Sequence, residues 1–344
     1  MKLFFILTFF IFNINCSSPN SPEGKPHHYG EGFRNLDTNV PTRGFGDVLM
    51  WRAGNLFKKL PSLNPDDYKF TQIDNDGKKL RENSTEFSVT WIGHASTLVQ
   101  LDGINILTDP IWSERCSPVN FAGPKRYTKP GLKLEALPKI DIVIISHNHY
   151  DHMDLPSLKE LDKLFSPTFF VGLKNKEFLE SEGLKNVVEL DWWDSKKIEN
   201  IKVTFTPTQH ASGRGIFDQR KTLWGSYVIE GKEKSFYFAG DTAYFSGFKK
   251  IGEKFPNLDF AILPIGAYEP RWFMKVVHMN PADSVQAFID LGAKKLVPVH
   301  YQTFVLTDEA LDEPLKNTIK EFEDKSINRE SLIDLKIGES RTFK

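Results

Sequence analysis

Short runs of apolar, often β-branched or aromatic residues alternate along the chain with polar, glycine and proline positions. Such runs predict strands, and apolar positions at helical spacing predict helices. Strands are expected at 87–92, 97–101, 104–108, 140–145, 168–171, 187–190, 201–206, 226–230, 235–239, 260–264 and 295–299. Helices are expected at 154–165, 174–182, 281–291 and 308–323. Strands dominate first and helices separate the later ones, which favours an α/β fold with two sheets faced by helices.

A stripe of apolar residues at helical spacing precedes the first predicted strand and surrounds Trp51. Its members are Phe45, Val48, Leu49, Leu56, Phe57 and Leu60. One apolar face is typical of a helix that covers a core, and also of a helix that lies on a lipid surface. We favour the core-covering interpretation and keep the lipid-facing one as the alternative.

The chain starts with Met1 and Lys2, followed by an apolar run at 3–12 that ends shortly before Cys16. The run is too short to span a membrane and has the length of a signal-peptide core. Cys16 resembles the acceptor cysteine of a bacterial lipoprotein signal, although Asn13 and Asn15 depart from that pattern. We therefore expect a signal peptide at 1–16, export, and a lipid-anchored protein at a membrane that faces the periplasm or the cell exterior. Ordinary cleavage or a retained leader are the alternatives.

Residues 17–40 are rich in serine, proline and glycine, a composition that predicts a flexible tether. His27 and His28 in this segment are expected to be solvated, with an accessory metal role as the alternative. Residues 41–344 are expected to form one large domain, since α/β folds often exceed the usual domain length of about 150 residues.

Composition and net charge indicate a folded domain and argue against a nucleic-acid partner. The chain has 344 residues, of which 40% are hydrophobic and 26% charged, with a net charge of −1. A substantial core is therefore expected, and the balanced charge gives no basic footprint for nucleic acid. The two cysteines do not predict a disulfide framework.

A cluster of potential metal ligands follows the predicted strand at 140–145. The run from His147 to His152 has the form H-x-H-x-D-H and contains His147, His149, Asp151 and His152. Further along the chain, strand-like segments end at His210, Asp241 and His300. Imidazole and carboxylate hold zinc at about 2.0 to 2.2 Å, and ligands at one end of a rigid sheet can converge. The pattern predicts a metal site.

These residues, with Gly240-Asp241-Thr242, resemble the metallo-β-lactamase superfamily, whose fold is an αββα sandwich around two metals. Further motifs are similar to the branch of N-acylphosphatidylethanolamine-hydrolysing phospholipase D. They lie at 90–97, 107–112, 123–126, 146–152, 223–226 and 264–274 and occur in the family's order. The resemblance implies that 41–344 is a hydrolase domain of this fold.

The resemblance implies that His147, His149 and His210 bind one zinc, that Asp151, His152 and His300 bind the other, and that Asp241 bridges them. A carboxylate suits the bridge because it has two oxygens, whereas a neutral imidazole offers one lone pair. Two such ions would share a water, lower its pKa towards 7 and clamp the reacting oxygens, so Asp241 and Asp151 are the catalytic candidates. Manganese or iron could replace zinc. The chain has no Gly-x-Ser-x-Gly motif for a serine nucleophile.

Five other residues are weighed individually. Tyr150 and His278 match family positions that contact substrate, with packing as the alternative. His94 is expected to form a hydrogen bond in a turn, although it could lie near the site. Asp109 could support a ligand histidine or form a turn with Pro110. Asp154 is expected to cap the helix that follows.

We expect a metal-dependent hydrolase, specifically a di-zinc phosphodiesterase of phospholipase D type that acts on N-acylphosphatidylethanolamine-like lipids at a membrane surface. The alternative is a lactonase or another ester hydrolase of the same fold, which would use the same metals on an ester carbonyl. A non-catalytic binding lipoprotein is a third interpretation, which the complete set of candidate ligands disfavours.

Overall fold

The structure is a computed structural model that describes residues 24–38, 41, 44–62, 67–68, 70–83, 85–215 and 217–343. The predicted signal peptide at 1–16, with Cys16, and the first part of the predicted tether lie outside the described residues. None of the helices within the described ranges has the length and apolar character needed to cross a membrane.

The strands, in chain order, are short. They are β1 (His28–Tyr29), β2 (Gly32–Phe33), β3 (Phe87–Gly93), β4 (Ser96–Leu101), β5 (Ile104–Thr108), β6 (Ile142–Ile144), β7 (Thr168–Gly172), β8 (Val187–Leu190), β9 (Ser195–Ile198), β10 (Ile201–Thr206), β11 (Ser226–Glu230), β12 (Ser235–Phe238), β13 (Phe260–Pro264), β14 (Leu296–Val299) and β15 (Ser340–Phe343).

The helices are α1 (Phe45–Asn55), α2 (Lys78–Glu82), α3 (Leu155–Phe165), α4 (Lys176–Ser181), α5 (Gly247–Lys254), α6 (Arg271–Met274), α7 (Pro281–Leu291) and α8 (Glu313–Asp324). Short 3-10 helices lie at Leu134–Ala136 and Arg329–Ser331. The cap of α7 shows how sequence sets a helix start, because Asn280 accepts from the backbone N–H of Asp283 and Pro281 occupies the first turn.

Two sheets form the centre of the domain. One has the order β15-β3-β4-β5-β6-β7-β8 and the other β14-β13-β12-β11-β10-β9. The strands from β5 to β8 are parallel, as are β12, β13 and β14. The carboxyl ends of these parallel strands therefore point to one edge of each sheet, where loops can meet.

Side chains alternate between the two faces of each strand and so separate three apolar layers. In β12, Phe236 and Phe238 point into the core between the sheets, whereas Tyr237 packs outward with α5, α7 and α8. On the other sheet, Val143 and Phe169 pack outward with α3 and α4. The result is an αββα sandwich, and the predicted fold class is confirmed.

All the predicted strands are present, with ends that differ only slightly from the expected ones. The strands that escaped prediction are β1, β2, β9 and β15. The last two are largely exposed edge strands with few apolar residues, so they carry no alternating signal. Among the helices, α2, α5 and α6 escaped prediction; α5 begins with Gly247 and contains a second glycine, Gly252, which weakens the helical pattern.

The apolar stripe forms α1 and the turn after it, and it packs inward through Trp51 and the partly buried Val48. Trp51 is buried against Phe273 and Met274, near α6. In contrast, Leu56 is 81% exposed and Phe57 is 91% exposed. Leu49 and Met50 are exposed as well. The core-covering interpretation is therefore wrong for most of the stripe.

Residues 24–38, assigned from composition to a flexible tether, pack on the domain instead. β1 and β2 form a small antiparallel hairpin, and Phe33 enters the core between the sheets. His27 is buried against Trp192, and His28 contacts Asp191. The expectation that both histidines are solvated is wrong, because composition alone does not reveal that a distant carboxylate and an aromatic ring receive them.

Candidate metal centre

The predicted ligands lie on loops at one edge of the sandwich. His147, His149, Asp151 and His152 occupy the loop between β6 and α3. The other candidates also follow strands: His210 comes after β10, Asp241 after β12 and His300 after β14. Because these strands belong to two sheets packed face to face, their loops converge over the core.

One group of donors consists of His147, His149 and His210, whose ring nitrogens lie close together. His147 Nε2 is 2.8 Å from His149 Nδ1, and His210 Nε2 is 3.4 Å from the same atom. Three imidazoles that point nitrogens at one another provide no negative charge of their own. Such a group is typical of a cation site rather than of a hydrogen-bond network.

A second group consists of Asp151, His152 and His300, joined by His94. Asp151 Oδ2 is 3.2 Å from His152 Nε2 and 3.4 Å from His300 Nε2. His94 Nε2 donates to the same oxygen at 2.9 Å. The sequence predicts a turn hydrogen bond for His94, with a place near the site as the alternative. The His94 ring lies at the centre, and its backbone N–H donates to Thr303 Oγ1.

Asp241 lies between the two groups. Its Oδ1 is 3.1 Å from His300 Nε2, and its Oδ2 is 3.1 Å from His152 Nε2. The same Oδ2 is 4.0 Å from His147 Nε2 and 3.8 Å from His210 Nε2. A single carboxylate thus faces both groups, which is the position that a bridging ligand would need.

Asp109 forms hydrogen bonds with the loop that carries His147 and His152. It accepts from His152 Nδ1 at 2.6 Å and from the backbone N–H and hydroxyl of Ser146 at 2.7 and 2.6 Å. His147 Nδ1 lies 2.9 Å from Ser146 Oγ and donates to it, because the hydroxyl proton is given to Asp109. In both histidines the outer Nδ1 therefore holds a proton, and Nε2 is the ring nitrogen that faces the centre, as in a metal-bound histidine. Of the two interpretations of Asp109, the supporting role is the one that the structure shows.

His210 is fixed in a similar way by its surroundings. Its Nδ1 donates to the carbonyl of Val277 at 2.8 Å, which leaves Nε2 as the acceptor that faces the centre. Its backbone is held by Asn35, whose side chain accepts from the His210 N–H at 3.2 Å and donates to the His210 carbonyl at 2.9 Å. The hairpin segment at 24–38 thus reaches the centre through one asparagine.

The predicted substrate residues differ in their placement. His278 Nδ1 lies 3.9 Å from Asp241 Oδ2, at the rim of the centre. Tyr150 lies between two candidate ligands in sequence, but its hydroxyl donates to the carbonyl of Arg214 at 3.0 Å and its ring stacks under the Arg214 guanidinium. A substrate contact stays a prediction for both residues.

Burial and neighbouring charges oppose each other at several residues of the centre. It lowers the pKa of His147 and His210 well below 6.5, so these rings are neutral at pH 7. Burial alone would raise the pKa of Asp241, but His152, His300 and His278 together hold it well below its usual range. Burial likewise lowers the pKa of His300, yet Asp241 and Asp151 outweigh it and raise that pKa to about 9. Buried carboxylates therefore demand positive charge here, from protons or from cations.

Several buried polar atoms at the centre lack a hydrogen-bond partner among the described residues. They are His152 Nε2, His278 Nδ1, both ring nitrogens of His300 and Asp241 Oδ1. An unpaired buried polar atom costs about 1–3 kcal/mol, so several together in one place call for a ligand. Imidazole and carboxylate donors with free lone pairs fit divalent metal ions, and the two groups around Asp241 fit a dinuclear site.

Some supporting residues carried no sequence signal. Asn148 Oδ1 accepts from the Gly213 N–H at 2.7 Å, and Arg214 Nη1 donates to the carbonyls of Asn148 and Met153. These contacts fasten the loop after His210 to the H-x-H-x-D-H loop. The position of Asn148 inside the motif was the only hint. Asp154 lies at the N-cap of α3 as expected, but it accepts from the hydroxyls of Ser113 and Ser157 rather than from the helix backbone.

The geometry agrees with comparisons to known proteins. A β-lactamase superfamily domain matches residues 104–301. The chain is 39% identical over 264 residues to N-acyl-phosphatidylethanolamine-hydrolyzing phospholipase D 1 of Caenorhabditis elegans, a match that covers 73% of this chain and 74% of the worm protein. The chain belongs to the metallo-β-lactamase superfamily. It is also 37% identical to the mitochondrial N-acyl-phosphatidylethanolamine-hydrolyzing phospholipase D of Saccharomyces cerevisiae, over 65% of this chain and 49% of the yeast protein.

A solved structure shares the fold. Igni18, a metallo hydrolase from the archaeon Ignicoccus hospitalis, matches with a TM-score of 0.56 and 23% identity, covering 76% of this chain and 99% of that chain. The predicted family and its phospholipase D-like branch are confirmed. The protein is an enzyme, a metal-dependent hydrolase with the metallo-β-lactamase fold.

Proposed function

We propose that this metallo-β-lactamase-fold enzyme is a dinuclear phosphodiesterase of the phospholipase D type, acting on N-acylphosphatidylethanolamine-like lipids. The observation that carries the proposal is Asp241, which faces a three-histidine group on one side and the Asp151, His152 and His300 group on the other. The 39% identity to the worm phospholipase D supports the substrate class. Zinc is the proposed metal, because imidazole and carboxylate donors suit it.

The candidate ligands divide into two sets, one for each metal ion. When bound, the ions would supply an activated water at neutral pH and positive charge for the reacting phosphoryl oxygens. His147, His149 and His210 would hold one ion, and Asp151, His152 and His300 the other, with Asp241 shared. Asp109 orients His152 directly and His147 through Ser146, so that Nε2 of both rings faces the centre.

His278 is the proposed contact to the substrate. Its Nδ1 has no hydrogen-bond partner among the described residues and lies 3.9 Å from Asp241 Oδ2. Burial lowers the pKa of His278 to about 4, so the ring is neutral at pH 7 and still carries one N–H. That N–H can donate a hydrogen bond to a phosphoryl oxygen or to the departing oxygen without adding charge to the site.

The exposed surface next to His278 supports a lipid substrate. α1 and the turn after it expose Leu49, Met50, Leu56 and Phe57. The same helix is anchored through Trp51 to the segment around α6, shortly before His278. Lys58 and Lys59 follow directly, and lysines beside an apolar face favour anionic membrane surfaces.

A substrate panel tests the proposal. Purified full-length protein, stripped with a chelator and reloaded with zinc, is incubated with vesicles that contain N-acylphosphatidylethanolamine, with lactones and with simple carboxyl esters. We expect release of N-acylethanolamine and phosphatidic acid that disappears on chelation and returns with zinc. Rapid hydrolysis of lactones or esters without release from the lipid would assign the enzyme to the alternative ester-hydrolase class.

Membrane attachment through a lipid on Cys16, with export to the periplasm or cell exterior, is also part of the proposal. It depends on the sequence pattern alone, since Cys16 lies outside the described residues. Cells that express the parent or Cys16→Ala are fractionated, and we expect only the parent to resist salt washing and to partition into detergent. Equal membrane binding of both forms would make the leader or the apolar face of α1 the anchor.

A further inference from the structure

We propose that His27, His28 and Asp191 form a separate metal site, suited to one zinc-like divalent ion, at the edge of the domain. The three side chains come from the N-terminal hairpin and from the residue directly after β8. None of them belongs to the centre around Asp241, so the proposal does not depend on the proposed function.

The donor atoms already face one another. His27 Nε2 lies 2.6 Å from Asp191 Oδ1, and His28 Nε2 lies 2.9 Å from Asp191 Oδ2. Both rings thus present the same nitrogen to the two oxygens of one carboxylate. Two imidazoles and one carboxylate are a common set of protein ligands for zinc, with water in the remaining position.

The surroundings hold two of the donors rigidly. The His27 ring stacks on Trp192 with 4.3 Å between ring centroids, and its side chain is almost fully buried. Asp191 Oδ1 accepts from the backbone N–H of Trp192 at 2.7 Å, and the Asp191 N–H donates to Asp194 Oδ2 at 3.2 Å. The side chain of His28 is 15% exposed, which gives an ion and its water a path from solvent. Such outer contacts orient ligands and raise metal affinity.

Lys25 is the competitor for this site. Its ammonium lies 2.6 Å from Asp191 Oδ2, while its side chain is 39% exposed. Burial would raise the pKa of Asp191, but His27 and Lys25 hold it well below its usual range, so the carboxylate is charged at neutral pH. An incoming ion would replace the ammonium, which can turn into solvent on its flexible stem. Metal binding needs an unprotonated Nε2, so the proton that each ring donates to Asp191 would have to leave that nitrogen.

A metal ion at the edge site would also help to fix the position of His210, a candidate ligand of the centre. The hairpin segment is held at one end by Asp191 and continues to Asn35, which brackets the backbone of His210. Trp224 Nε1 also donates to Asn35 Oδ1 at 3.0 Å. An ion at the edge would therefore fix the segment that holds a central ligand, without contacting the centre.

Zinc counting tests the proposal on full-length protein. Parent, His28→Gln and Lys25→Ala are stripped with a chelator, dialysed against zinc alone and analysed for zinc per chain. Glutamine keeps a donor for Asp191 but removes the imidazole ligand. We expect His28→Gln to hold about one ion per chain less than the parent, and Lys25→Ala to hold the parent's number with a tighter edge site. The difference between variants does not depend on how many ions the centre holds.

Circular dichroism and thermal melting check that His28→Gln is folded, and His27→Gln serves as the second variant. Equal zinc content in the parent and in a folded His28→Gln or His27→Gln variant would overturn the proposal. A Lys25→Ala variant that holds less zinc per chain than the parent would overturn the proposal as well, since the lysine would then assist binding of the ion instead of competing with it.

Discussion

The centre around Asp241 and the cluster around Asp191 use the same two residue types, but they differ in how the imidazole rings are hydrogen-bonded. At the centre, the outer nitrogens of His152 and His210 donate to Asp109 and to a backbone carbonyl, so that the inner nitrogens face the other donors of the centre. At the edge, the Nε2 atoms of His27 and His28 point directly at the carboxylate. The first arrangement is prepared for cations, whereas the second must first give up hydrogen bonds.

This difference predicts an order of affinity. An ion entering the centre pairs atoms such as His300 Nε2 and Asp241 Oδ1, which lie 3.1 Å apart but make no aligned hydrogen bond among the described residues. An ion entering the edge site displaces a lysine and breaks the hydrogen bonds of two imidazole rings to Asp191. Because unpaired buried atoms are costly and paired ones are not, the centre should retain its ions at chelator concentrations that empty the edge site.

The largest effect should come from Asp241→Asn. The substitution keeps the shape of the side chain but removes the charge that both donor groups share, so turnover should fall by about 10³-fold or more. Activity on vesicles and zinc per chain are measured together. Asp334→Asn, which removes a carboxylate paired with Arg329 at the surface, is the matched control and should leave activity intact. A loss smaller than tenfold would remove Asp241 from the bridging position.

Asp109→Asn should have the second-largest effect. The carboxylate supports His152 directly and His147 through Ser146, and removal of such an outer partner typically costs 10- to 100-fold in metal affinity or activity. Competition with a fluorescent zinc chelator measures the affinity. Unchanged competition curves would show that the tautomers are set by other contacts.

The sequence allowed the centre and one support, Asp109, to be located, but not the other supports. H-x-H-x-D-H directly after an apolar run, with His210, Asp241 and His300 at later strand ends, could be recognised because parallel strand ends share an edge. Asn35 and Arg214 could not, since their contacts bring together segments that are far apart in the chain and neither follows a periodic pattern. The hairpin was misread because a segment rich in glycine and proline can still pack when two histidines find a distant carboxylate.

Asn35→Ala should have a moderate effect that links the two regions. It removes two hydrogen bonds to the His210 backbone and one from Trp224. At about 0.5–1.5 kcal/mol for each bond, the variant should melt several degrees lower and bind the central ions less tightly. Asn317→Ala, which removes a partly buried hydrogen bond to the Tyr268 hydroxyl, is the control. Normal zinc retention in Asn35→Ala would show that the loop after His210 holds its position without the hairpin segment.

The smallest effect, and the most informative for the comparison, should come from Lys25→Ala. The stability difference between this variant and the parent should change sign when zinc is added. Without zinc the variant loses a partly exposed ion pair with Asp191, which costs about 0.2–1 kcal/mol of the free energy of unfolding. With zinc the parent must release the same ion pair before the ion binds, whereas the variant need not, so added zinc should raise the melting temperature of the variant more than that of the parent. Urea unfolding of both proteins, with and without zinc, measures the two differences. If Lys25→Ala were destabilised equally with and without zinc, the edge cluster would be an ordinary set of ion pairs. The two regions would then differ in whether they bind a metal ion at all, not in how tightly they bind it.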